Sequence, residues 1–505
     1  MPGRSLSQTY RLWIILFLLC LIVYSNTFFS SFHFDDEGYI IENFTIRNIW
    51  NLRDIWNFYP TRFITFLTFA LNYSFHQLHV FGYHIVNLAI HFGSGILVWW
   101  LAKLIFSTPA MERDRLSQQS GSIAFFTAAI FLLHPLQVES VTYIWQRCTS
   151  LSGFLYLLSL CLYMKSRLLQ RDGPSILKGR AFYNLSWVVA IVSMFTKETA
   201  ATLPLMIILC EFYFFKPDKH IQWRNIIPFL LLLSIVPVLV FFAKPETLYF
   251  MQRLIRQPVL EGGSYFLTQL RVLVTYIRLL FVPIHQNLDY DYPLIKSLAD
   301  LSALGSFLVL ALIIISAIRA FPKYKILSFA IFWFFLALLP DSSIIPLDDV
   351  IFEHRLYLPM AGFGLFLVSG FTYFLKEKRI KFIGIALSLL IVSFSIMTHQ
   401  RNEVWTADLT LWDDVVHKSP RKARPYNNRG LAYEKEGNLD SALADYNKAI
   451  EIDPNFAKPY NNRGIIYEKK GDLDSALSDY NKAIKINPNY AKAYSNRGII
   501  YQKRG

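Results

Sequence analysis

The chain has 505 residues, of which 54% are hydrophobic and 17% charged, with 43 phenylalanines and a mean hydropathy of +0.33. That composition excludes a single soluble globular protein, because soluble domains carry about 25% charged residues and long runs nearly free of charge are transmembrane helices. The excess of 50 Lys and Arg over 36 Asp and Glu fits cytoplasmic loops and phosphate-bearing partners in such a chain, and not nucleic acid.

Arg4 and Arg11 precede the first apolar run, RLWIILFLLCLIVYSNTFF. No small-residue cleavage site follows, so it reads as an uncleaved helix with its N-terminus inside. Runs of spanning length lie near residues 12–30, 82–102, 121–138, 149–165, 181–197, 199–215, 225–243, 264–284, 301–318, 326–340, 355–375 and 382–398. Starting inside, the loops with Lys103, Arg113 and Arg115, with Lys165, Arg167, Arg171, Lys178 and Arg180, and with Lys216, Lys219 and Arg224 all fall inside, as the positive-inside rule requires. A crossing at 264–284 would put Arg319, Lys323 and Lys325, and then Lys376, Lys378, Arg379 and Lys381, outside. That run carries Arg271 and Arg278 on one helical face, so it is predicted to be interfacial or re-entrant. The expectation is therefore eleven crossings with the C-terminus outside. The four cysteines lie in or beside apolar runs and form neither a disulfide framework nor a metal-binding spacing.

This orientation gathers the polar chemistry on the outer side. In FHFDDEGYI, Asp35, Asp36 and Glu37 follow the first span at the bilayer edge, where carboxylates are costly to desolvate and invite a functional reading. One could take the proton of an acceptor hydroxyl; a second could orient the acceptor or hold a divalent cation. His84 and Asn87 share a face with His91 at helical spacing, either lining a site or bonding between helices. HPLQVESVTYIWQRC places Glu139 and Arg147 in a short outer loop, FTKETAATLP does so for Lys197 and Glu198, and FEHRLYLP for His354 and Arg355. Arg147, Lys197 and Arg355 are suited to a lipid phosphate, by bidentate hydrogen bonds from Arg and by neutralising the leaving group. Glu37, His84, Asn87, Glu139, Glu198 and His354 are candidate lining residues.

Residues 1–400 thus form the membrane domain, 401–420 a connector with a degenerate repeat helix, and 421–505 a repeat array. Tyr426, Tyr460 and Tyr494 are 34 residues apart, as are Gly430, Gly464 and Gly498. That period with these spacings is the tetratricopeptide signature, two full repeats and one partial. Counting back from Tyr446 gives Trp412, in the degenerate helix. Asn427, Asn428, Asn461, Asn462 and Asn496 recur in register and could hold an extended peptide through its backbone, unless they only form a solvated face.

The order FDDEGYI, RFITFLTFALNYSFHQLHVFGYHIVNLAIH, HPLQVESVTYIWQR, TKETAATLPL, FEHRLYLP, RNEVWTADLTLW and then the repeats resembles the transmembrane and tetratricopeptide-repeat O-mannosyltransferases and their bacterial relatives. The resemblance implies an all-α fold: a multi-pass membrane domain of the glycosyltransferase C type with about 11 crossings, followed by an α-solenoid. It also implies a polyprenyl-phosphate sugar donor, inversion at the anomeric carbon and a catalytic base at Asp35 or Asp36. The repeats would bind a protein or glycan acceptor. Compact loops and few repeats favour a bacterial inner membrane with periplasmic repeats; in a eukaryote they would face the endoplasmic reticulum lumen. The alternative is a non-catalytic membrane-anchored scaffold for envelope or pilus assembly, which explains the repeats but not the outer charges.

Overall fold

A computed structural model describes the chain except residues 1–5, 172–175, 216–221, 243–261, 298, 343–346, 348, 376–379 and 505. Lys216, Lys219, Lys376, Lys378 and Arg379 of the charge pattern fall outside the described residues, which are helical with no strand. Each of the twelve apolar runs contains helix. Among the described residues six helices are long and apolar enough to cross a membrane: Val80–Phe106, Arg115–Leu133, Ile144–Gln170, Glu198–Phe215, Leu301–Ala320 and Lys381–Val404. Shorter apolar helices are Tyr10–Val23, Trp223–Leu239, Lys325–Leu338 and Pro359–Phe374. The helix Gly262–Phe281, which holds the amphipathic run, belongs to neither group.

Lipid supplies no hydrophobic drive between helices, so packing decides which faces meet. Gly362 of Pro359–Phe374 lies against Trp333 of Lys325–Leu338, where a Cβ would stand 2.5 Å from the indole. Trp333 Nε1 donates to Leu358 O at 2.9 Å, fixing the register of these two helices. The Gly262–Phe281 helix has a separate task. Tyr265, Gln269 and Tyr276 lie along one side of it and donate to the carbonyls of Asp341 (2.7 Å), Val350 (2.8 Å) and Phe352 (2.9 Å). It thereby positions the loop that leads into Glu353, His354 and Arg355.

The chain divides into two compact units, Met1–Gln286 with Pro293–Glu403, and Asn287–Tyr292 with Val404–Gly505. The second is an α-solenoid of helices Asp408–Lys418, Ala423–Lys435, Leu439–Ile452, Ala457–Lys469, Leu473–Ile486 and Ala491–Arg504. Gly437 and Gly471, at φ 81° and 82°, end the first helix of each full repeat in the left-handed region that favours glycine. Asn438 and Asp472 then cap the second helix. An arginine column ties the repeats together. Arg429 forks onto Asp445 (both bonds 2.8 Å) and reaches Asp413 (2.8 Å); Arg463 forks onto Asp479 (2.7 and 2.8 Å) and reaches Asn447 (2.7 Å). Asp413 thus does for the first full repeat what Asn447 does for the second, and Trp412 beside it is buried. Asp408–Lys418 thus meets the first full repeat where Leu439–Ile452 meets the second. The segment 287–292 joins this unit through Asp289, which is buried and paired with Lys422 and with Arg424 (2.6 Å).

In the repeats, a Cβ on Gly464 would stand 2.7 Å from the Tyr480 ring, whereas one on Gly498 meets nothing within 4 Å. Gly464→Ala is expected to destabilise the repeat unit by about 1–3 kcal/mol through overpacking. Gly498→Ala should be neutral or stabilise by up to about 1 kcal/mol through helix propensity. Hydrogen exchange of the repeat helices in the full chain compares the two.

Candidate active site

The acidic loop after the first helix is held by one of its own carboxylates. Asp36 is buried; its Oδ2 accepts the His33 N–H at 2.9 Å and its Oδ1 the Trp145 N–H at 2.7 Å. Phe34 between them has φ 49°, a left-handed conformation that costs a non-glycine residue about 1–2 kcal/mol. That turn places Asp35 half-buried beside Tyr143, whose hydroxyl accepts the Asp35 N–H at 3.0 Å. Burial and the charges of Asp35 and Asp36 push the Tyr143 hydroxyl well above its ordinary pKa, so it keeps its proton and can donate. Tyr39 stacks on Trp145 with centroids 4.0 Å apart. Glu37 is exposed.

Arg62 adjoins this loop, a residue that the sequence reading missed. It sits 5.0 Å from the Tyr59 ring and 5.3 Å from the Trp145 ring, and pairs with Glu198 at 3.3 Å. Thr61 donates to the other Glu198 oxygen at 2.7 Å. Lys197 is buried and donates to Thr149 Oγ1 at 2.7 Å. Lys197 and Glu198 therefore do not pair to close a turn: Glu198 serves Arg62, and Lys197 faces a cavity.

That cavity is lined by Lys197, Arg355, Asp341, Thr149, Ser152 and Thr199 among others. Arg355 donates to the carbonyls of Val350 (3.0 Å) and Asp349 (2.8 Å). Burial opposes its charge, but Tyr276, Asp341 and Tyr265 outweigh burial and hold the guanidinium above its ordinary pKa. Beside it, Glu139 Oε1 lies 2.6 Å from His354 Nδ1, and Oε2 accepts the backbone N–H of Glu353 (3.0 Å) and of His354 (3.2 Å). Burial and then the cations Lys197, Arg355 and Arg62 push His354 well below its ordinary pKa, so the ring is neutral at physiological pH. Arg62 is thus held between the Trp145 ring and Glu198, the residue that follows Lys197.

The third predicted phosphate ligand is placed elsewhere. Arg147 is fully buried and donates to Asn87 Oδ1 (2.7 Å), Asn72 Oδ1 (2.8 Å), Tyr83 O (3.1 Å) and Thr68 O (3.4 Å), beneath the Phe69 ring at 4.5 Å. Its hydrogen-bonding capacity is spent on neutral oxygens of two helices. Asn87 also donates to Val141 O at 3.1 Å, and His84 Nε2 bonds to Ser30 O at 3.0 Å. His84, Asn87 and Arg147 therefore build the wall of the site and are not presented to a ligand.

A separate apolar cleft lies among Gly262–Phe281, Leu301–Ala320, Lys325–Leu338 and Pro359–Phe374, with Ile277, Leu312, Phe334, Phe335, Phe363 and Phe366 on its walls. The helices of Phe334 and Phe363 also serve the cation cavity, through Ala337 one turn along and through Leu358 just before Pro359. Among the described residues no group of three or more His, Cys, Asp or Glu could hold a metal ion. In the repeat unit the asparagines form a ladder. Asn496 donates to Asn461 (3.0 Å), Asn461 to Asn462 (3.3 Å), Asn462 to Asn427 (3.0 Å) and Asn427 to Asn428 (3.0 Å).

Removing the Arg147 guanidinium would leave at least two buried carbonyl acceptors unpaired, at about 1–3 kcal/mol each. Arg147→Met is therefore expected to lower the melting temperature of the detergent-purified protein clearly.

The repeats match the family description Tetratricopeptide repeat at residues 423–456 and 457–490, and a second description of the same repeat at 479–505. The chain is 24% identical to the Protein O-mannosyl-transferase Tmtc3 of Drosophila melanogaster, over 89% of this chain and 56% of that one. It is 24% identical to human Protein O-mannosyl-transferase TMTC3 (85% and 50%) and 26% to Protein O-mannosyl-transferase F38B6.6 of Caenorhabditis elegans (89% and 64%). The chain thus spans between half and two thirds of the length of these curated relatives. Among solved structures, ArnT from Cupriavidus metallidurans bound to undecaprenyl phosphate aligns with a TM-score of 0.45 and 15% identity, covering 93% of this chain and 80% of that one. By sequence, over most of its length, the chain is similar to proteins named Protein O-mannosyl-transferase, and its C-terminal part matches the Tetratricopeptide repeat.

Proposed function

We propose that the protein is an inverting glycosyltransferase of the glycosyltransferase C type, which moves a hexose, mannose by the names of its relatives, from a polyprenyl-phosphate donor to a hydroxyl. The observation that carries this reading is that Lys197 and Arg355, distant in sequence, line one cavity. Two cations on the walls of one cavity, against the single carboxylate of Asp341, suit a phosphate, and they neutralise charge on the leaving group as the bond to sugar breaks. The apolar cleft served by the same two helices offers a path for an isoprenoid chain. Asp35 is the base: it takes the proton of an acceptor hydroxyl, whose oxygen attacks the anomeric carbon from the side opposite the phosphate, in one displacement. Asp36, with both oxygens holding backbone N–H groups, is the staple that fixes Asp35.

The acceptor is a Ser/Thr or glycan hydroxyl on the extracytoplasmic side, where the charge pattern puts these loops. The repeats recruit it: Asn427, Asn461 and Asn462 of the asparagine ladder are buried, and the half-buried Asn428 and Asn496 at its ends keep amide N–H groups for a peptide backbone. The site then faces the periplasm in a bacterium, or the endoplasmic reticulum lumen in a eukaryote.

The test uses the full chain in nanodiscs with radiolabelled polyprenyl-phosphate mannose and a Ser/Thr-rich peptide. Asp35→Asn should fold normally and lose about 10²- to 10⁴-fold in transfer. Asp36→Asn turns an N–H₂ toward one of two backbone donors and should cost about 1–3 kcal/mol of stability. Lys197→Ala and Arg355→Ala should each cut transfer about 10²-fold. Full transfer by Asp35→Asn would sink the assignment of the base, and full transfer by both cavity variants that of the phosphate site.

A further inference from the structure

Among the described residues, the charged side chains lining the cavity are Lys197, Arg355 and Asp341. Asp341 follows the end of Lys325–Leu338, where its N–H donates to Leu338 O at 3.1 Å and its carbonyl accepts the Tyr265 hydroxyl at 2.7 Å. The backbone is thus fixed, and the half-buried side chain lines the cavity. Among the described residues no hydrogen bond or ion pair engages its carboxylate. An acid serving as a direct counter-ion would pair with one of the two cations. Instead Lys197 donates to the neutral Thr149 Oγ1 and Arg355 to the carbonyls of Asp349 and Val350, while the Asp341 charge acts on Arg355 through space.

Two cations against one carboxylate leave the cavity with a formal charge of +1. A phosphate esterified to both a sugar and an isoprenoid carries one negative charge and matches it. Transfer ends that match. The bond between the anomeric carbon and the phosphate oxygen breaks with its electron pair left on that oxygen, the acceptor oxygen forms the new bond, and the acceptor proton goes to Asp35. A phosphate monoester of about −1.5 to −2 charge at pH 7 stays behind. Lys197 and Arg355 attract the second charge as it forms, and Asp341 repels it.

We propose that Asp341 sets the charge selectivity of the cavity: it matches the site to the singly charged phosphodiester of the donor and weakens its hold on the doubly charged polyprenyl phosphate, which favours product release. The proposal rests on the donor site inferred above and assigns it a selectivity residue. Replacing a residue that only braces its loop would affect both ligands alike. Replacing a selectivity residue changes their ratio.

The experiment measures dissociation constants of the full chain in nanodiscs for polyprenyl phosphate and for its methyl ester, which has the same lipid and one charge fewer. It is run at about pH 8, above the second phosphate pKa of about 6. Asp341→Asn and Asp341→Ala should each shift the ratio of the two constants about 10- to 100-fold in favour of polyprenyl phosphate, and Asp341→Glu should keep the wild-type ratio. Under multiple turnover, polyprenyl phosphate should inhibit Asp341→Asn more strongly than wild type. A wild-type ratio in Asp341→Asn and Asp341→Ala, whether or not both ligands bind more weakly, overturns the proposal while leaving the donor site standing. Failure of wild type to bind either ligand, or binding that Lys197→Ala and Arg355→Ala leave unchanged, overturns both.

Discussion

Charge taken out of water must be met inside the protein, and in this molecule the short segment 139–147, which runs into the membrane helix Ile144–Gln170, meets it at three places around the candidate site. Along residues 139–147, the Glu139 carboxylate binds the backbone of 353 and 354, Tyr143 and the Trp145 N–H bind Asp35 and Asp36, and Arg147 binds the helices of Thr68, Asn72, Tyr83 and Asn87. The acidic loop, the cation loop and the helical wall all take their position from this segment. None of the groups that do this work is free to act on a ligand in the same geometry. The site residues are their neighbours: Asp35 next to the stapled Asp36, and Lys197 and Arg355 around the clamped His354.

The division of labour explains the polar face of Gly262–Phe281. A helix with Arg271 and Arg278 on it is a poor membrane span, and its Tyr265, Gln269 and Tyr276 instead hold the loop before Arg355. Arg278 turns back to the carbonyl of Ile284 at its own C-terminal end, where a cation is favoured. The helix thus braces the cation cavity on one side and borders the apolar cleft on the other.

Much of the architecture was legible in the sequence because it rests on local rules. Apolar runs, their flanking charges and a 34-residue period each need only nearby residues, and counting one period back from Tyr446 leads to Trp412, which is buried in Asp408–Lys418. The site was legible as a set of outer acids and cations but not as roles. Asp35 and Asp36 are chemically identical neighbours, and only the Trp145 N–H, 109 positions on, distinguishes them. Arg147 reads as a phosphate ligand until Asn72 and Asn87 are seen to surround it, because complementarity between helices leaves no mark on spacing. Arg62 did leave a mark: an arginine at the edge of an apolar helix, in a loop where the positive-inside rule disfavours it. Spacing gives the acids of QNLDYDYP no partner, yet Asp289 pairs with Lys422 and Arg424 of the repeat unit, a match that becomes visible only in three dimensions.

The account turns on where a lipid-linked phosphate binds. Cryo-electron microscopy of the full chain with polyprenyl phosphate in nanodiscs tests this directly. The account predicts phosphate density between Lys197 Nζ and the Arg355 guanidinium, with the isoprenoid running into the cleft lined by Phe334 and Phe363. Phosphate density against Arg147, or away from both cavity cations, would contradict it.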